Sequence, residues 1–193
     1  MDNGAAIVLV LAGIVVYMVY DTYFTGNLEP VESTVDKRKY KVQNLPDKQK
    51  AADNIATIRK HIETLITHLE KVAPDDPRTK NMSKNFNGDA MSEAPANNKH
   101  TSYSINKGEK IILCLRSKDT KHELVDMNTM MFVVLHEIAH LATDSIGHNP
   151  EFWDNFKWIL QHSIDIGIYK HVDYNENKQE YCGMTIESTP LKK

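Results

Sequence analysis

Cysteine is nearly absent: the 193 residues hold two, Cys114 and Cys182. That excludes a small secreted scaffold stapled by many disulfides, and it excludes a metal site built from cysteines alone. An excess of basic charge is absent too. Lysine and arginine number 23 against 26 aspartates and glutamates, a formal net charge of -3 with histidine neutral. A strongly basic nucleic-acid binder is therefore not indicated. There is no internal repeat and no low-complexity tract. With 41% hydrophobic and 25% charged residues, the composition suits one folded domain with some chain to spare. What the sequence does have in quantity is histidine, nine in all, and part of that supply is clustered.

The longest apolar run is at the start. Residues 4–20 read GAAIVLVLAGIVVYMVY without a charge. This is near the lower limit for a helix that spans a bilayer, and Tyr23 and Phe24 can extend it into the interface. A cleaved signal peptide would carry a basic start and a small-residue cleavage site. Here the start is Met1-Asp2-Asn3-Gly4 and the run ends in tyrosines. The run is read as an uncleaved transmembrane anchor over 1–24, in preference to a signal peptide or a buried core helix. Asp2 precedes it and Lys37, Arg38, Lys39 and Lys41 follow it. The positive-inside rule then makes this a single-pass membrane protein with the bulk of the chain on the cytoplasmic side. Two unpaired cysteines agree with a reducing compartment. Residues 25–46, with Pro30, Pro46 and a charge run, read as a tether.

Residues 47–193 read as the folded domain. Ala51, Ile55, Ile58, Ile62, Leu65, Leu69 and Val72 recur at alternating spacings of four and three, which predicts an amphipathic helix over 47–72, ended by Ala73-Pro74. His61 and His68 lie on it with no ligand partner at a useful spacing, so they are read as solvated or rim residues. Residues 74–102 are rich in Pro, Asn, Asp and Lys and read as a long loop. Tyr103–Ile105, a turn at Asn106-Lys107-Gly108-Glu109, and Ile111–Leu115 read as strand, turn, strand. The second strand, 110–115, is a candidate edge for an extended peptide. Cys114 on it is most simply a core thiol.

The informative segment is His136-Glu137-Ile138-Ala139-His140, an HExxH motif behind the apolar run Met130–Leu135. Residues four apart share a helix face, so both imidazoles can reach one metal ion, while Glu137 can touch a water bound to that ion. Burying these groups without an ion would be costly. A catalytic zinc takes three protein ligands and keeps one position open. His148 is the natural third ligand, with Gly147 as a helix end that lets the chain return; Asp144 and Glu151 compete for the role. Asn149-Pro150 reads as the cap and first residue of a further helix. Phe152, Phe156, Ile159, Leu160 and Ser163 give that helix one packing face. The chemistry these parts predict is hydrolysis of a protein or peptide by an activated water, with Glu137 as general base. Tyr169, Tyr174 and Tyr181 are candidate oxyanion donors or packing aromatics.

The run HEIAHLATDSIGHNPEFW at 136–153 resembles the WLM group of zinc metallopeptidases, relatives of the SprT-like proteins. TSYSINKGEKIILCLRSK at 101–118 and DYNENKQEYCGMTIESTPL at 173–191 look like the membrane-anchored WLM-domain proteins of large eukaryotic DNA viruses. The resemblance covers roughly residues 75–191. It implies an α+β, zincin-like minimal metallopeptidase fold with a small sheet against the HExxH helix. It also implies Zn2+ held by His136, His140 and His148, with Glu137 as catalytic acid and base. Some cellular relatives cleave proteins crosslinked to DNA. Over 100–193, however, acidic residues outnumber basic ones and no basic stripe is evident, so a nucleic-acid partner is not expected and a DNA-protein crosslink protease is kept only as a further alternative. The alternative to an enzyme is a catalytically silent zinc-binding structural protein, such as a virion membrane component with the domain inside the virion. In that case Cys182 would be the fourth ligand that closes the site.

Overall fold

The computed structural model of the protein describes residues 3–20, 27–119 and 121–191. The N-terminal apolar run forms helix α1 (Asn3–Tyr20), whose large side chains from Ile7 to Val19 are exposed. Among the described residues no helix is long and apolar enough to cross a membrane. The extension expected from Tyr23 and Phe24 lies outside the described residues. The anchor over 1–24, its membrane partner and the single-pass localisation drawn from it are thereby overturned.

The segment read as a tether is also different. It contains β1 (Leu28–Glu32) and β2 (Lys39–Gln43), an antiparallel pair in register from Leu28 opposite Gln43 to Glu32 opposite Lys39. Tyr40 and Val42 are buried while Lys39 and Lys41 face out. The lysines that resemble a charge run are thus the solvent side of an alternating strand. Asp53 accepts hydrogen bonds from Ser33 Oγ (2.8 Å) and from Thr34 N (2.7 Å) and Oγ1 (2.9 Å), which ties the hairpin to the next helix.

That helix, α2 (Lys48–Val72), buries Ile55, Ile58, Ile62, Leu65 and Leu69, while Val72 at its end is exposed. The expected loop over 74–102 contains α3 (Pro77–Asn85), a 3₁₀ turn (Gly88–Ala90) and β3 (Met91–Glu93). Asp76 caps α3 by accepting from Arg78 N, and Pro77 occupies its first turn. The hairpin β4 (Tyr103–Ile105) and β5 (Lys110–Leu113) completes a five-stranded sheet ordered β1-β2-β3-β5-β4. Strand β3 pairs parallel with both β2 and β5, and the other pairs are antiparallel. Strand β5 is therefore paired on both sides, and the edge strands are β1 and β4, a correction to the edge expected at 110–115.

Helix α2 packs on β1, β2 and β3, and α4 (Met127–Ala142) packs against α2, α3, β4 and α5 (Pro150–Asp165). A two-stranded hairpin, β6 (Gln179–Tyr181) and β7 (Met184–Ile186), follows α5. One contiguous apolar core joins the sheet, α2, α4 and α5. Inside it Arg116 donates from Nε to Glu93 (2.8 Å) and from Nη1 to Asp47 (2.8 Å), linking the end of β5 to β3 and to the start of α2.

The β4–β5 turn approaches the site helix closely. Asn106, Lys107 and Gly108 all have positive φ, and Gly108 lies at +109°. A Cβ on Gly108 would press into Asn85 O and sit 2.8 Å from Leu141 Cδ2. We expect Gly108→Ala to destabilise the fold by about 1–3 kcal/mol, through left-handed strain and overpacking together. The check is a lower urea midpoint at an unchanged slope.

Candidate metal centre

Helix α4 begins at Asp126, whose carboxylate accepts from Asn128 N and Thr129 N, both at 3.0 Å. Its middle is buried through Met130, Met131, Phe132, Val134 and Leu135, so the residues that follow have a fixed backbone beneath them. His136 and His140 then emerge one turn apart, with ring centroids 5.1 Å from each other. The helix stops at Ala142, earlier than the Gly147 end expected from sequence. Thr143 Oγ1 donates to Ala139 O (2.7 Å) and accepts from Asn155 Nδ2 (3.0 Å). Gly147 instead supplies a positive φ of 88° within the connecting loop. Asn149 caps α5 by accepting from Phe152 N (3.0 Å), and Pro150 opens that helix.

The loop brings His148 back to the pair. Its Nε2 lies 2.9 Å from His136 Nε2, and ligand atoms of His136, His140 and His148 all lie within 4.8 Å of one another. The competitors for the third position are used elsewhere. Asp144 accepts from Asn81 Nδ2 (3.0 Å), and Glu151 accepts from Ser145 Oγ and from Asp144 N (3.4 Å). Lys107 Nζ donates to Thr143 O (2.8 Å) and Asp144 O (2.6 Å). The loop is therefore braced from α3, α5 and the β4–β5 turn at once. Phe152 stacks on His140 at 4.4 Å between centroids, and Phe156 meets the His136 ring edge-on at 5.3 Å.

This donor set suits a borderline-soft divalent ion such as zinc. Burial, reinforced by the neighbouring histidines, pushes His136 down to about 3. Burial, with His148 and Lys107 nearby, pushes His140 down to about 4. Both imidazoles are thus neutral near pH 7, which is the form that binds a metal. Glu137 is buried beside them, and its burial pushes the carboxyl up to about 7, opposed by hydrogen bonds from the side chain and backbone of Ser104 on β4. His136, Glu137 and His148 open onto a cavity of about 440 Å³ whose far wall is the β6–β7 hairpin.

The two cysteines are joined to each other. The Cys114–Cys182 disulfide ties the end of β5 to the β6–β7 turn, with Cα atoms 6.3 Å apart. This corrects the readings of Cys114 as a core thiol and of Cys182 as a free thiol or a fourth ligand, and it removes the argument for a reducing compartment. The tyrosines separate as well. Tyr169 and Tyr174 pack on Phe132. Tyr181 lines the cavity, but its hydroxyl donates to Cys114 O (2.9 Å) and shares a 2.5 Å hydrogen bond with Ser102 Oγ. His68 lies apart from the centre, with Nε2 3.4 Å from Nδ1 of His162 on α5. Sequence reasoning missed Ser104, Lys107 and Asn81, which act across separations with no local signature.

A family model described as the WLM domain matches residues 34–190, and so begins inside the segment first read as a tether. Uncharacterized protein R325 of Acanthamoeba polyphaga mimivirus is 37% identical over 166 residues, covering 84% of each chain. Uncharacterized protein 136R of Invertebrate iridescent virus 6 is 26% identical over 170 residues, covering 88% of this chain and 93% of that one. The crystal structure of Wss1 from Saccharomyces cerevisiae is similar with a TM-score of 0.48 and 22% identity, covering 65% of this chain and 85% of that chain. With more than half of its length matched, the chain belongs to the WLM-domain family, which includes metalloproteases.

Proposed function

We propose that the protein is a zinc-dependent endopeptidase in which His136, His140 and His148 hold the ion and Glu137 is the general base. The observation that carries this reading is the convergence of three imidazoles beside a buried carboxylate, with His136, His148 and Glu137 lining one open cavity. When bound, zinc supplies Lewis-acid polarisation of a carbonyl oxygen and raises the acidity of a coordinated water. Glu137 takes a proton from the attacking water and returns one to the leaving amine. Ser104 holds that carboxylate at the margin of the sheet. The free edge of β4, directly over the site helix, is suited to pairing with an extended peptide. Cys182 is held in a disulfide and so does not close the coordination shell, which favours an enzyme over a silent structural site.

The test is metal content and proteolysis measured on the same purified chain. One equivalent of zinc and hydrolysis of an unfolded protein substrate are expected. A chelator should abolish that hydrolysis and added zinc should restore it. Cleavage that ignores the chelator, or a chain that retains no transition metal, would overturn the assignment.

A further inference from the structure

Among the described residues outside α1, few large apolar side chains are exposed, and two of them line the same cavity. Trp153 on α5 is 41% exposed and Met184 on β7 is 48% exposed. The cavity also carries Phe132, Val133, Phe156 and Ile186. Apart from the site residues and Tyr181, its ionisable lining is Glu187, which pairs with Lys178 at 3.0 Å on the exposed rim. Exposed aromatic and thioether groups grouped at one concave site signal a surface that is covered when a ligand arrives. Methionine is unbranched and adaptable, so the Met184 wall can conform to differently shaped apolar groups. An anionic side chain would instead meet the carboxylates of Glu137 and Glu187.

We propose that this cavity is a specificity pocket for a large apolar side chain of the substrate, of the leucine, phenylalanine or methionine class, beside the bond to be cleaved. Trp153 and Met184 are its adjustable rim and the β6–β7 hairpin is its wall. The proposal rests on the peptidase reading and adds which substrates that site selects.

The experiment uses the full zinc-loaded chain and peptides whose central amide is replaced by a non-hydrolysable reduced amide. Leu, Phe, Lys or Asp is placed in turn at each position flanking that bond, and binding is measured by calorimetry. Leu or Phe at one flanking position should bind at least tenfold more tightly than Lys or Asp. Met184→Asp, at an exposed position, should erase that preference while zinc content stays unchanged. Equal affinity for all four residues, or a preference that survives Met184→Asp, overturns the pocket. Hydrolysis of the ordinary amide peptides without an apolar preference removes the pocket and leaves the peptidase. An apolar binding preference with no hydrolysis leaves the pocket and removes the peptidase.

Discussion

Replacing Glu137 with Gln is expected to slow peptide hydrolysis by about 10²–10⁴-fold while the zinc content stays at that of the wild type. The magnitude is what a positioned general base contributes. The selectivity follows from the geometry. The three converging ligand atoms belong to His136, His140 and His148, and Glu137 is not among them. Glutamine keeps the shape of the side chain, and its carbonyl oxygen can still accept from Ser104, the residue that hydrogen-bonds Glu137. What it loses is the capacity to take a proton. Single-turnover hydrolysis, elemental analysis and circular dichroism on one preparation separate the possibilities. Hydrolysis within twofold of the wild type would remove Glu137 as the base. Loss of activity together with loss of zinc would make its carboxylate part of the ion's support.

The parts of the site that were legible are those that local geometry determines. Residues four apart on a helix share a face whatever the tertiary context, so His136 and His140 could be paired on sight. The return of His148 was expected from Gly147 as a helix end, whereas α4 stops at Ala142 and Gly147 turns the chain within the loop; the helix start expected at Asn149-Pro150 is present in the structure. The sheet was legible only where a turn joined consecutive strands, as in β4 and β5. Strand β3 has three residues and two parallel partners far from it in sequence, so nothing near Met91–Glu93 marks it. Glu93 looks like a surface acid until Arg116, 23 residues later, is found bonded to it in the core. Lys39 and Lys41 masked β2 because charge on one face of a strand resembles a polar linker unless the alternating Tyr40 and Val42 are weighed. The apolar run at 4–20 misled in the other direction: its composition suggested a span, and among the described residues no helix is long and apolar enough to cross a membrane.

Removing the Cys114–Cys182 disulfide, by reduction or as the double variant Cys114→Ala, Cys182→Ala, is expected to cost about 4 kcal/mol of stability. The bond closes a loop with a sequence separation of 68, and a cross-link of that span restricts the unfolded chain far more than a short one. Set against a typical total of about 5–15 kcal/mol, this should lower the melting temperature by on the order of 10 °C. The loss will not be spread evenly. Strands β6 and β7 have three residues each and, among the described residues, pair only with one another, and a lone two-stranded hairpin is marginal in water. Besides the disulfide, Tyr181 secures the hairpin through Cys114 O and Ser102 Oγ. Because the same hairpin is a wall of the cavity above His136 and Glu137, freeing it should weaken binding of apolar peptides at temperatures where α4 and its histidines remain folded. The signature is a melting point that falls with dithiothreitol for the wild type and does not respond for the double variant, with zinc content equal in both. A wild-type melting point indifferent to reductant, with two free thiols titrated in the native protein, would show that the bond does not hold the wall in place.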